Sequence, residues 1–162
     1  RGNNDLRMLT LDGKGETRPL VTTAFTEGPA DLSPDGQWLA YQQSDGAGRR
    51  EIYISPFPDV ASKRRLVSPG TQPVWAPNGR ELFYVGPDHR IMVSEFVVRG
   101  SSFIASKPRL WSNQQLFTAG YTNLDLAPDG KRFAILPAPA TPADVRVTTL
   151  LNFFDELRRR VP

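Results

Sequence analysis

The sequence predicts an all-β chain built from one repeated four-stranded antiparallel unit, and three observations carry that expectation. First, three segments align without gaps: Ser33-Pro-Asp-Gly-Gln-Trp-Leu-Ala-Tyr41, Ala76-Pro-Asn-Gly-Arg-Glu-Leu-Phe-Tyr84 and Ala127-Pro-Asp-Gly-Lys-Arg-Phe-Ala-Ile135. Second, 15 prolines and 13 glycines in 162 residues are more than helices tolerate and suit short strands joined by tight turns. Third, the run after each turn is apolar at consecutive positions, as in a strand covered on both faces.

The turn comes first because its chemistry is local. Proline fixes φ near −65°, Asp or Asn bonds its own backbone, and glycine takes positive φ without steric cost. Pro34-Asp35-Gly36, Pro77-Asn78-Gly79 and Pro128-Asp129-Gly130 are each expected to close a hairpin. The prolines at 34, 77 and 128 recur at intervals of 43 and 51 residues. A four-stranded propeller blade takes about 40–45, and the longer interval asks only for a few extra loop residues.

Ahead of the turns lie first strands at Ala30–Ser33, Pro73–Ala76 and Leu124–Ala127. Behind them lie second strands at Trp38–Tyr41, Leu82–Val85 and Phe133–Leu136. Third strands follow at Glu51–Ser55, Ile91–Val97 and Val145–Leu150. Fourth strands follow at Arg18–Val21, Arg65–Val67 and Pro108–Trp111, with Leu6–Leu11 as the third strand of an earlier blade. The expected division is therefore 1–27 for strands C and D of a preceding blade, 28–70 and 71–121 for complete blades, and 122–150 for strands A to C of the last. Residues 151–162 form a C-terminal helix in this reading: Leu150, Phe153, Phe154, Leu157 and Val161 recur at helical spacing, with Asn152 as N-cap. Its apolar face is expected to cover the last blade. A closed propeller needs roughly four to eight blades, so about three imply an incomplete ring. The remaining blades of a longer parent chain, or partner chains, would complete it.

The repeats SPDGQWLAY, APNGRELFY and APDGKRFAI resemble the blade motif of TolB-like, WD40-like propellers, and Gln72-Pro-Val-Trp75 matches the P-x-W that leads into it. Phe103-Ile-Ala-Ser-Lys-Pro-Arg-Leu-Trp111, Leu126 to Phe133 and Leu151 to Pro162 are similar to the C-terminal end of large bacterial signalling proteins. Those carry a serine/threonine kinase or DNA-binding regulator domain ahead of the propeller. The resemblance implies a sensory or interaction module, and favours the extracytoplasmic side with the cytoplasm left open. The chain itself has neither a Gly-rich phosphate loop nor an H-R-D catalytic loop, so a kinase activity would belong upstream.

Composition narrows the chemistry. No cysteine is present, which removes disulfides, thiolate nucleophiles and cysteine-ligated zinc. One histidine does not make a metal site, and no metal or cofactor is expected. No run of about 20 apolar residues exists to span a bilayer, and the polar opening Arg1 to Asp5 is not a signal peptide. The net charge is +3, but the basic residues are scattered apart from Lys63-Arg64-Arg65 and Arg158-Arg159-Arg160, read as solvated edges. Nucleic acid is not an expected partner.

Two sets of residues remain as candidate sites. Asp31 and Asp125 stand three residues before their turn prolines, where the middle unit has Val74. On the strand nearest a central channel, paired carboxylates could serve a carbohydrate-active hydrolase, with calcium binding as a weaker variant. Equally, they could bond backbone groups at the strand. The second set is Phe25, His89, Arg90, Phe117 and Tyr121, on loops expected to share one rim. Aromatics beside arginine anchor protein or peptide ligands, though Phe25 and Phe117 could instead tuck under their own loops, and His89 could be a solvated turn residue. The expected function is binding without catalysis.

Overall fold

A computed structural model describes residues 4–11, 13, 15–60, 63–99, 102–117 and 124–139 of the chain. Among them are thirteen strands and no helix, all paired antiparallel, and no sheet closes on itself. The first sheet pairs β1 (Leu6–Leu9) with β2 (Thr17–Val21). The second is a four-stranded meander in chain order, β3 (Thr26–Leu32), β4 (Trp38–Ser44), β5 (Arg50–Pro56) and β6 (Arg65–Pro69). The third runs through β7 (Thr71–Trp75), β8 (Glu81–Val85) and β9 (Arg90–Arg99); β9 then pairs with both β10 (Ser102–Ala105) and β11 (Arg109–Gln115). The fourth pairs β12 (Leu124–Leu126) with β13 (Phe133–Ile135).

The all-β expectation holds. One assignment needs correction. The extra residues of the longer repeat interval are not loop: β9 is ten residues long, and its far end folds back on β10 as a hairpin. Pro108, which has no N–H to give a ladder, separates β10 from β11. The strand expected at Val145–Leu150 and the helix expected over 151–162 lie outside the described residues.

Consecutive apolar residues face different cores. In β8, Leu82, Phe83, Tyr84 and Val85 are all buried. Leu82 and Tyr84 cluster with Trp75 and with Ala40, Ile52 and Ile54 of the second sheet. Phe83 and Val85 cluster with Leu124 of the fourth sheet and with Leu116. A strand between two sheets therefore reads as an unbroken apolar run, because each pleat has its own partner.

The three turns are built alike. Gly36, Gly79 and Gly130 donate N–H to the carbonyls of Ser33, Ala76 and Ala127 at 2.8, 2.9 and 2.8 Å. Asp35, Asn78 and Asp129 each accept, on Oδ1, the N–H two residues on, at 3.0, 2.8 and 3.0 Å. The Ser33 hydroxyl and the Gln37 N–H hold the Asp35 carboxyl below the usual carboxylate value. Successive turns also touch. A side chain on Gly79 would stand 3.8 Å from the Pro34 ring, and one on Gly130 3.2 Å from the Pro77 ring, so each turn rests on the previous one. The three turns accordingly share one rim.

Gly36 and Gly130 form a matched pair that isolates this contact. Both have φ of 68°, but nothing lies within 4 Å of the Gly36 position. Gly36→Ala should cost about 1–2 kcal/mol from backbone conformation alone. Gly130→Ala should cost measurably more, because the Pro77 ring must give way. Urea midpoints of the two variants test this; equal losses would mean that the stacked turns contribute nothing.

Candidate functional site

The end of β11 draws part of the expected rim together. His89 and Arg90 lie at the turn between β8 and β9, and the His89 carbonyl accepts the Leu116 N–H at 2.8 Å. Phe117 follows directly and donates its N–H to the Leu136 carbonyl beyond β13 at 2.8 Å. His89 is exposed, with φ of 63°, the left-handed position that glycine holds in the other turns. Histidine tolerates that region better than most residues, so the turn itself explains its presence. Arg90 is partly buried and reaches Asp88 Oδ2 at 3.4 Å. Phe117 is 40% exposed. Phe25 is 39% exposed but lies elsewhere, on the approach to β3, where its N–H bonds Thr23 Oγ1 at 3.0 Å. Tyr121 is outside the described residues.

β3 and β12, the first strands of the second and fourth sheets, both lie against β7, the first strand of the third. Antiparallel pairing points alternate N–H groups away from the partner strand. Ala76 N bonds Glu81 O, so the N–H of Trp75 faces away from β8. Asp31 of the neighbouring sheet receives it on Oδ2 at 2.7 Å. Leu32 gives the same carboxyl a second backbone N–H. Asp31 thus bridges the first strands of two sheets. Burial raises its pKa, the two backbone donors pull it down, and the Asp125 charge pushes it up again. Asp125, its counterpart on β12, is exposed.

This arrangement separates two substitutions. Asp31→Ala leaves the Trp75 N–H without an acceptor and should cost about 1–3 kcal/mol below the carboxylate range, and less at neutral pH. Asp31→Asn keeps an acceptor and removes the charge. A raised pKa means that the folded chain keeps a proton the unfolded chain has released. The stability contributed by Asp31 therefore falls as pH rises from the usual carboxylate value to the raised one. Asp31→Asn should match or exceed the wild type at neutral pH and lose that advantage as the pH drops through the carboxylate range. Thermal melts across pH decide it; an Asp31→Ala variant as stable as the wild type would remove the bridge.

A polar cluster was not visible in the sequence. Glu27 is 3% exposed; its Oε1 accepts the Thr23 hydroxyl at 2.6 Å, while Oε2 has no partner among the described residues. Arg64 donates to Gln43 Oε1 at 2.6 Å and lies 4.4 Å from the Tyr53 ring centroid. The basic triplet at 63–65 is exposed, as a solvated edge would be, and Arg64 alone of the three makes these contacts. No spacing rule links these residues, which meet only because β3, β4 and the approach to β6 converge. Among the described residues no group of three or more His, Cys, Asp or Glu is arranged to hold a metal ion.

No family model matches the chain, and no curated protein matches it. Among solved structures, one that it resembles is a candidate 6-phosphogluconolactonase from Bacteroides fragilis, at 20% identity and a TM-score of 0.38. The likeness covers 60% of this chain and 31% of that one.

Proposed function

We infer that the chain is part of a TolB-like β-propeller, two complete blades flanked by portions of two others. We further infer that it acts as a non-catalytic module binding a protein or peptide, at the C-terminal end of a larger bacterial signalling protein. The blade reading rests on the meander order, the neighbouring first strands and the stacked turns. The binding reading rests on one observation: the chain leaving β11 brings the exposed Phe117 near the exposed His89 and the partly buried Arg90. Loops held on a rigid scaffold are where binding residues gather. A hydrolase using Asp31 is the less favoured reading, because that carboxyl is already engaged by the Trp75 backbone.

The test is selection of a binding peptide from a display library, followed by titration of that peptide. Arg90→Ala and Phe117→Ala should each weaken it by at least about 1 kcal/mol, roughly fivefold. If both bind like the wild type while Asp31→Asn or Asp125→Asn abolishes binding or turnover, the rim reading gives way to the carboxylates.

A further inference from the structure

The middle turn carries an amide where the other two carry a carboxyl. Asn78 stands where Asp35 and Asp129 stand, and it is the one asparagine of the chain that glycine follows. Asn3, Asn4, Asn113, Asn123 and Asn152 precede Asn, Asp, Gln, Leu and Phe. The Asn-Gly pair has a chemistry of its own. Glycine has no side chain to hinder attack of its backbone nitrogen on the side-chain amide carbon before it.

The closed turn ties up both reacting groups. Gly79 gives its N–H to the Ala76 carbonyl at 2.9 Å. Asn78 Oδ1 accepts the Arg80 N–H at 2.8 Å, and Nδ2 donates to Glu81 Oε2 at 3.1 Å. Asn78 is nevertheless exposed, so water reaches it. Because Oδ1 plays the same part in all three turns, a carboxyl in place of the amide keeps that bond. The other side-chain atom decides what such a change does. In the third turn the residue three positions on is Arg132, whose guanidinium reaches Asp129 Oδ2 at 2.9 Å. In the first it is the uncharged Trp38. In the middle turn it is Glu81, which also meets Arg109 at 3.5 Å. An amide at position 78 donates to Glu81, whereas a carboxylate there meets a like charge.

We propose that Asn78 is a site of spontaneous deamidation, restrained by the closed turn, whose product loosens that turn. When the turn opens, the Gly79 nitrogen loses its proton to solvent and bonds to Asn78 Cγ. The Cγ–Nδ2 bond breaks, and Nδ2 takes up a proton and leaves as ammonia. Water then opens the cyclic imide at either carbonyl. One opening leaves aspartate, which sets a carboxylate against Glu81. The other leaves an isoaspartate linkage through Cβ, which lengthens the backbone and draws the Gly79 N–H off the Ala76 carbonyl. The site lies at the opposite end of β8 from His89 and Arg90, so it is separate from the peptide-binding rim.

Peptide mapping of the whole 162-residue chain by mass spectrometry tests it. Incubated at mildly alkaline pH in strong urea, Asn78 should exchange its amide for a carboxyl faster than every other asparagine. Without urea the same exchange should run at least about tenfold slower, because it then follows the fraction of open turns. Asp35 and Asp129 have no amide to lose and cannot contribute to the mass change. An Asn78 that stays intact in urea, or that reacts equally fast in both conditions, overturns the proposal. The effect of the product is read separately. Asn78→Asp should lower the urea midpoint of the otherwise wild-type chain. In a Glu81→Gln chain the same substitution should leave the midpoint unchanged, because glutamine donates where glutamate repels. Asn78→Asp with the wild-type midpoint, or an equal loss in both backgrounds, overturns the assigned effect on the turn.

Discussion

Trp75→Ala is expected to cost about 3–5 kcal/mol, enough to unfold much of a chain whose total stability is of order 5–15 kcal/mol. Trp75 is 5% exposed and lies between the second and third sheets, in one cluster with Ala40, Ile52, Ile54, Leu82 and Tyr84. Its ring centroid is 5.5 Å from that of Phe96 and 6.1 Å from that of Phe103. Alanine leaves a cavity that two packed sheets cannot collapse into, because the strands on both sides are fixed by their own ladders. The backbone N–H to Asp31 survives the substitution, so the loss reports the indole alone. Trp75→Phe sharpens the test. The indole Nε1 has no partner among the described residues, so phenylalanine forfeits no hydrogen bond and should cost well under half as much. Urea midpoints of the two variants decide it. A Trp75→Ala chain that unfolds like the wild type would mean that the sheets do not share this core.

Much of this was legible because the signals are local. A Pro-Asp/Asn-Gly triplet dictates its turn wherever it sits, and the three copies gave the hairpins, their order and their rim. The unbroken runs Trp38–Tyr41 and Leu82–Val85 gave strands with both faces covered, since a strand with one wet face would alternate. The hairpin of β9 and β10 was not legible. Ser102 to Ala105 is too short to stand out, and the sequence reading places no strand between Val97 and Pro108. Only pairing with the far end of β9 makes β10 a strand, and that is a tertiary fact.

The candidate site was legible to a lesser depth. Sequence equivalence singled out Asp31 and Asp125, but a carboxyl before a turn serves catalysis or a backbone donor equally well. The choice at Asp31 depends on which N–H the next sheet offers, 44 residues away. Phe25 and Phe117 posed a similar ambiguity, and both are partly exposed rather than tucked away. His89 lies in Gly86-Pro-Asp-His-Arg90, a segment legible as a turn, and its left-handed backbone is the detail that only the fold supplies.

Phe103→Ala should cost about 3–5 kcal/mol, and it tests the element that the sequence did not reveal. Phe103 is 3% exposed on β10, with its ring centroid 4.4 Å from that of Phe96 on β9 and 4.6 Å from that of Trp38 on β4. The hairpin of the third sheet therefore reaches across to the second and closes the seam above Trp75. Aromatic contacts at such distances add about 0.5–1.5 kcal/mol each beyond area burial, so three rings meeting at one side chain make it a concentrated loss. The control is one residue away. Ile104 stands opposite Val97 on the other face of the hairpin and is 52% exposed. Ile104→Ala should stay within about 0.5 kcal/mol of the wild type. Hydrogen exchange supplies the second readout: in Phe103→Ala the amides of β10 should lose protection before those of β4 and β5, because the hairpin detaches first. Equal denaturation midpoints for the two variants would show that β9 and β10 form an appendage and tie no sheets together.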